Sequence, residues 1–218
     1  MDKIRLSYMQ TGRAIWISHL DMMRMLQRAM NRANIPIKYS EGFNPHAMIS
    51  ILLPLSVGTE SYCQLADIRV REDVDPATLP GRLNAVMPEG IEVTGAWEEG
   101  SKAAELQRLR ALCRWEYDGP AAEKLPALRA LFEREQLIVQ RRTKRGEGPF
   151  DLLPHTRILS MEAEGNAVLV SCELSAAEPV VKPELLGKAV EENAPELAPR
   201  AARCRRVRML KKDGTEFH

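Results

Sequence analysis

The chain has 218 residues, with 31 Lys plus Arg against 30 Asp plus Glu and a formal net charge of +1. A hydrophobic content of 44% and a charged content of 28% are those of a globular protein able to bury one large core or two small ones. The near-zero net charge excludes a global field that would gather a polyanion, and 5% aromatic residues exclude an extended stacking platform for single strands, so any nucleic-acid contact has to come from local basic patches.

Residues 3–9 alternate, with Ile4, Leu6 and Tyr8 on one face and Lys3, Arg5 and Ser7 on the other, the period of a half-buried strand. Thr11-Gly12-Arg13 turns the chain, and 14–17 is expected to continue as strand. Ser18 is a good N-cap, with Asp21 three residues on as an acidic variant of the capping box. A helix follows over 20–33, its apolar stripe carried by Met22, Leu26, Ala29, Met30 and Ala33. Arg24, Arg28 and Arg32 repeat every fourth residue on another face.

Pro36-Ile37-Lys38 opens an extended piece that enters Tyr39-Ser40-Glu41-Gly42-Phe43-Asn44-Pro45-His46, a loop of fixed shape because Gly42 is free in φ and the Asn44-Pro45 step excludes the α region. Residues 49–57 are apolar with Pro54 inside, which predicts an edge strand or extended arm. Alternation predicts a strand over 62–70. Asp75 before Pro76 predicts the start of a short helix over 76–86, and 91–97 is a strand. The order β-α-β-β-α-β is that of a ferredoxin-like domain, an antiparallel sheet with two helices on one face.

Residues 101–110 are charged and Ala-rich, a helical linker candidate. The order then repeats: strand 111–117, helix 121–134, strand 137–141, a Gly-rich loop 143–149, a hairpin of 157–163 and 167–174, a helix 182–193 and a basic strand 204–210. The expectation is an α+β protein of two tandem ferredoxin-like halves, 1–100 and 111–218, joined by 101–110.

Cys63, Cys113, Cys172 and Cys204 form no C-x-x-C pair, which argues against a zinc ribbon, a redox dithiol or an iron–sulfur cluster; reduced thiols half-buried in strands are expected. Residues 1–5 lack signal-peptide character and no run of about 18 apolar residues exists, so a cytoplasmic location without membrane contact is expected. P-loop, G-x-G-x-x-G, H-E-x-x-H and G-x-S-x-G motifs are absent.

Two polar knots stand out. His19 and Asp21 at a helix start are candidates to face a ligand, or else Ser18 and Asp21 only cap the helix. His46, with Glu41, Asp21 or His19 as orienting partner, is a candidate acid or base, or else a rigid connection in which it bonds to main chain. His19, Asp21 and His46 are also a loose candidate metal set, although no metal or cofactor is assigned. The candidate catalytic residues are therefore His19, His46 and Asp21, and the candidate substrate-binding residues Ser18, Arg24, Ser40, Glu41, Gly42, Phe43 and Asn44. Two basic runs, Arg141, Arg142, Lys144 and Arg145, and then Arg205, Arg206 and Arg208, are candidates for nucleic-acid contact, with a solvated charged surface as the alternative.

Gly12-Arg13, Ile17-Ser18-His19-Leu20-Asp21-Met22-Met23-Arg24, Tyr39 to His46 as spelled above, and Leu53-Pro54-Leu55-Ser56-Val57-Gly58 together resemble the bacterial radical SAM-linked protein family. The resemblance is closest in the first half of the chain and looser from Thr143 onward. Where that family has His-Pro-Lys-Ile, this chain has His46-Ala47-Met48-Ile49, and where it tends to carry Arg-Pro there is Leu153-Pro154, so positive charge is missing from both loops. The resemblance implies a chain fused to or working with a radical SAM protein of the cobalamin-binding type, as accessory or substrate-binding protein, with RNA the expected substrate class. No C-x-x-x-C-x-x-C is present to hold a radical SAM cluster. Two alternatives stay open: an RNA-processing or modifying enzyme using His19 or His46 as acid or base, and a protein–protein docking module.

Overall fold

A computed structural model describes residues 3–98, 100–143 and 146–218. It is a mixed α+β fold with mostly antiparallel sheet and, among the described residues, four α-helices. The chain divides into two compact units, Met1–Glu105 with Glu216–His218, and Leu106–Thr215. No helix among the described residues is long and apolar enough to cross a membrane.

The first unit runs β1 (Lys3–Gln10), α1 (His19–Arg32), β2 (Ile49–Leu52), β3 (Glu60–Arg69), α2 (Leu79–Asn84) and β4 (Ile91–Glu98). Its strands lie in the order β4-β1-β3-β2, each antiparallel to its neighbour. Ile4, Leu6 and Tyr8 of β1 are buried with Met22, Leu26, Ala29 and Met30 of α1 and with Leu79 and Leu83 of α2. Each such fully buried side chain is worth about 1.5–3 kcal/mol over its exposed state. The chain leaving α1 is held from α2: Arg82 donates to the main-chain oxygens of Ala33, the C-cap, and Asn34, both at 2.9 Å.

On the other face of β1, Arg5 is fully buried. It forks onto Asp67, with Nε 2.7 Å from Oδ1 and Nη2 3.1 Å from Oδ2. Its Nη1 donates to the main-chain oxygens of Ser101 (2.8 Å) and His218 (3.0 Å), and the guanidinium lies 4.9 Å from the Phe217 ring centre. A buried charge is tolerated only when paired and hydrogen-bonded in this way.

The second unit runs β5 (Arg108–Glu116), α3 (Leu125–Phe132), β6 (Ile138–Thr143), β7 (Gly146–Asp151), β8 (Thr156–Glu164), β9 (Ala167–Ser175), α4 (Glu184–Asn193) and β10 (Ala201–Leu210). Its main sheet has the order β10-β5-β9-β8, all antiparallel, and β6 and β7 form a separate hairpin. Ala111, Cys113 and Trp115 of β5 pack with Leu128 and Leu131 of α3 and Leu186, Ala189 and Val190 of α4. Cys113, Cys172 and Cys204 are fully buried in this core rather than half-buried, and Cys63 alone is intermediate. Cys204 lies across from Cys113 in the strand register, with the two sulfurs 2.8 Å apart. Hydrogen bonding to Cys172 and Cys204, together with burial, pushes the Cys113 thiol well above its ordinary pKa.

Several local expectations are corrected. Residues 12–16 are a 3-10 turn, not strand, because the chain closes i to i+3 bonds (Ala14 N–H to Thr11 O, Ile17 N–H to Ala14 O) instead of pairing. The strand expected over 49–57 ends at Leu52, before Pro54. Residues 101–110 are not a helix: they hold one 3-10 turn, Ala103–Glu105, and Arg108 already opens β5. The loop expected over 143–149 is largely β7, which lies against β6.

Candidate functional site

Ser18 caps α1 as its sequence predicts. Its Oγ accepts the Asp21 main-chain N–H (3.2 Å) and donates to Asp21 Oδ2 (2.6 Å), while Arg24 Nη1 donates to Asp21 Oδ1 (3.3 Å). The Ser18 hydroxyl first, then Arg24, with the charge of Arg28 behind them, holds the exposed Asp21 carboxyl below its ordinary pKa. His19 is exposed beside this cap.

The 39–47 loop closes on itself. Tyr39 and Ala47 form an antiparallel bridge, and the Ser40 N–H donates to His46 O (2.9 Å). Ser40 Oγ accepts the His46 main-chain N–H (3.1 Å) and lies 2.8 Å from His46 Nδ1. Gln27 of α1 donates to the Tyr39 hydroxyl (3.2 Å), tying the loop base to the helix. Glu41, Gly42, Asn44 and Pro45 are exposed, and Phe43 stands fully in solvent at the tip.

Ser18, Asp21 and Arg24 are thus one bonded cluster, and Ser40 and His46 another. Among the described residues no hydrogen bond or ion pair joins the two. No group of three His, Cys, Asp or Glu side chains among the described residues has metal-binding geometry, so His19, Asp21 and His46 are not assembled as a metal set. What the first unit does display near the cap is apolar: Trp16 is 69% exposed, Leu20 58% and Val57 54%. The Trp16 ring lies over Gly58, where an added Cβ would sit 3.4 Å from it, and Gly58 N–H donates to Ile15 O (2.8 Å). The family-like stretches Gly12 to Arg24 and Leu53 to Gly58 therefore meet at Trp16.

A group of arginines lies on the open face of the second unit's sheet, the face turned from α3 and α4. The register sets Arg203 across from Arg114, Arg205 across from Leu112, and Arg208 across from Arg110. Opposed residues share a face. Arg203 and Arg208 are exposed and make no ion pair among the described residues. Arg110 and then Arg108 bind Glu173, which is held below its ordinary pKa by them, and Arg114 pairs with Glu164 (3.0 Å) and Glu116 (3.5 Å). Leu112, 43% exposed, sits among them.

Arg206, expected with these residues, is buried at 1% exposure. It stands opposite Ala111 on the core side, and a register shift between Arg206 and Arg208 returns the strand so that Arg208 faces out. On the β6–β7 hairpin Arg142 is exposed, and the Arg141 guanidinium lies 4.7 Å from the Phe150 ring centre, which stacks in turn on His155 at 5.2 Å. Lys144 and Arg145 lie outside the described residues. Arg108 and Arg110 were missed in the sequence because 101–110 read as a helical linker, and Arg114 and Arg157 because they stand singly in their expected strands, outside the basic runs. Their signal was the spacing of two from Arg108 to Arg110, extended to Arg114 in the same phase, which is a strand period.

Comparison with curated proteins gave no match. Among solved structures the chain is similar to a Cbf5-Nop10-Gar1 complex (13% identity, 96% of this chain and 50% of that one, TM-score 0.45). It is also similar to an H/ACA ribonucleoprotein bound to a substrate RNA containing 2'-deoxyuridine (13% identity, 97% and 50%, TM-score 0.43). A third likeness is to an unknown protein from Galdieria sulphuraria (9% identity, 94% and 98%, TM-score 0.26). The chain spans half the length of the first two, and likeness at these scores carries nothing further to it. Residues 3–183 match the family described as an uncharacterized protein conserved in bacteria, and the chain belongs to that family, DUF2344.

Proposed function

We propose that this chain is a cytoplasmic RNA-binding accessory protein that holds or presents substrate for a radical SAM enzyme. The RNA part is carried by one observation, the pairing of Arg203 with Arg114 and of Arg208 with Arg110 on an open sheet face where Arg203 and Arg208 have no carboxylate partner among the described residues. Cationic side chains spaced across a sheet match the phosphates of an extended strand, and the exposed Leu112 offers a contact for bases without reading their sequence. The radical SAM part rests on the resemblance of the Ile17 to Arg24, Tyr39 to His46 and Leu53 to Gly58 stretches. We read each unit as a ferredoxin-like domain, on the chain order and the strand orders β4-β1-β3-β2 and β10-β5-β9-β8, with the β6–β7 hairpin inserted in the second.

Filter binding of single-stranded RNA across a salt series tests the RNA part. The logarithm of affinity should fall by about 0.7 per decade of salt for each neutralised phosphate. The Arg203→Ala, Arg205→Ala, Arg208→Ala variant should bind weakly with a shallower slope. Binding that ignores salt, or a triple variant that binds like wild type, sinks it.

The exposed Trp16, Leu20 and Val57 favour a protein-docking role for the first unit within the same reading. Co-purification with a radical SAM protein, lost on Trp16→Ala while RNA binding persists, is the expected result. No co-purification with wild type removes that part.

A further inference from the structure

One end of the second unit's sheet opens into a cleft of about 390 Å³, lined by residues from the starts of β5 and β8, the end of β9 and the turn before β8. That volume lies within the range of small-molecule sites. Its chemistry is lopsided. Arg108, Arg157 and His155 all line it, against a single carboxylate, Glu173.

That carboxylate is already engaged. Arg110 Nη2 lies 2.5 Å from Oε1, and Arg108 Nη1 sits at a looser 3.5 Å from Oε2. Glu173 therefore anchors Arg110 first and leaves most of the Arg108 fork unused. Arg157, next to Glu173 in the β8–β9 register, is exposed and makes no ion pair among the described residues. The ring of His155 stacks on Phe150 and makes no hydrogen bond among the described residues. Its position is fixed from behind, because Asp151 Oδ1 accepts the main-chain N–H groups of Leu137 (3.1 Å) and Leu153 (3.3 Å) and so shapes the 3-10 turn Leu153–His155.

Two guanidinium groups with unused donors and an imidazole around one cleft fit a group with several acceptor oxygens and more than one negative charge. A phosphomonoester has three such oxygens and about −1.5 to −2 charges, whereas an internal phosphodiester has one.

We propose that this cleft binds the phosphomonoester of a nucleotide, with Arg108 and Arg157 on its oxygens and His155 as a further hydrogen-bonding group. Resting on the RNA reading above, it takes a terminal phosphate of the RNA strand whose internal phosphates follow Arg203, Arg205 and Arg208. The cleft lies where β5, β8 and β9 begin or end, so a strand laid along the arginine face terminates there.

The test uses fluorescence anisotropy with one short single-stranded RNA in three forms: 5′-phosphorylated, 3′-phosphorylated, and hydroxyl at both ends. One of the phosphorylated forms should bind wild type about tenfold more tightly than the hydroxyl form, the scale of one lost charge-assisted contact. Arg157→Ala should abolish that preference while moving the hydroxyl form less than about twofold. Excess AMP should compete the preference away. Equal affinity for all three forms, or a preference that survives Arg157→Ala, overturns the cleft assignment and leaves the RNA reading standing. A thermal-shift arm separates the two ideas. If no RNA binds but AMP or inorganic phosphate raises Tm in wild type and not in Arg157→Ala, the RNA reading falls and the cleft is a site for a free phosphomonoester. If neither RNA nor phosphate has an effect, both fall.

Discussion

The hydroxyl of Ser40 holds His46 twice, through the ring at Nδ1 and through the main-chain N–H, so the imidazole is oriented by its own loop. A contact at one ring nitrogen fixes which way the other points. Ser40→Ala should cost about 0.5–1.5 kcal/mol locally. It should also change the His46 ring nitrogen shifts in NMR. Unchanged shifts would mean that Ser40 does not set the ring.

Buried Arg5 and Asp67 depend on one another. Removing one partner of a buried, hydrogen-bonded ion pair costs about 3–5 kcal/mol. Asp67→Ala and Arg5→Ala should each lower the unfolding free energy, measured by denaturant titration, by an amount of that size, and the double variant should lose less than the sum of the two. Additive losses would count against the fork described above.

Acid should act on Glu173 in a set direction. Its folded pKa is depressed by Arg110 and then Arg108, so its contribution is present above the unfolded carboxyl pKa of about 4.3 and is lost as pH falls through the lower folded value. Glu173→Gln should therefore be less stable than wild type at neutral pH, and the gap should close in strong acid. A gap that persists there would assign the effect to packing.

The thiols should divide by burial. Cys113, Cys172 and Cys204 are buried, and Cys113 is further disfavoured as thiolate, while Cys63 is partly exposed. In the native protein a thiol reagent should modify Cys63 first and the other three only on unfolding, as mass spectrometry of digested samples can show. Rapid native labelling at Cys113 would contradict that core.

Gly90 leaves the least room for change. A Cβ there would lie 2.4 Å from the main-chain oxygen of Thr11, whose own N–H donates to Gly90 O, and its φ of +85° disfavours any L side chain. Gly90→Ala should lose about 1–3 kcal/mol. Gly81→Ala, where an added Cβ meets nothing within 4 Å, should lose less or gain, since the residue sits in α2.

What was legible in the sequence follows local physics. The Ser18 cap and the Met22, Leu26, Ala29, Met30 stripe are written in residues three and four apart, and the structure places both as their spacing implies. The turn at 12–16 was not legible, because its stability comes from distant partners, Gly58 and Gly90, and not from its own apolar Ala14-Ile15-Trp16. Arg206 takes the core side by plain alternation with Arg205, whereas the outward turn of Arg208 was not legible, because the register shift behind it depends on the opposing β5 strand. The cleft at His155 was invisible, because Arg108, Arg157 and Glu173 are far apart in sequence and meet only through strand pairing.

The acceptors of Arg5 have a consequence for synthesis. Arg5 is synthesised well before the Ser101 oxygen, and Phe217 and the His218 oxygen follow only after the second unit's residues. On a nascent chain stalled before residue 217, the guanidinium would keep Asp67 but lack its ring cover and one of its oxygens. The first unit should then remain protease-sensitive, however many of its own strands have already emerged, until the second unit's residues have been made.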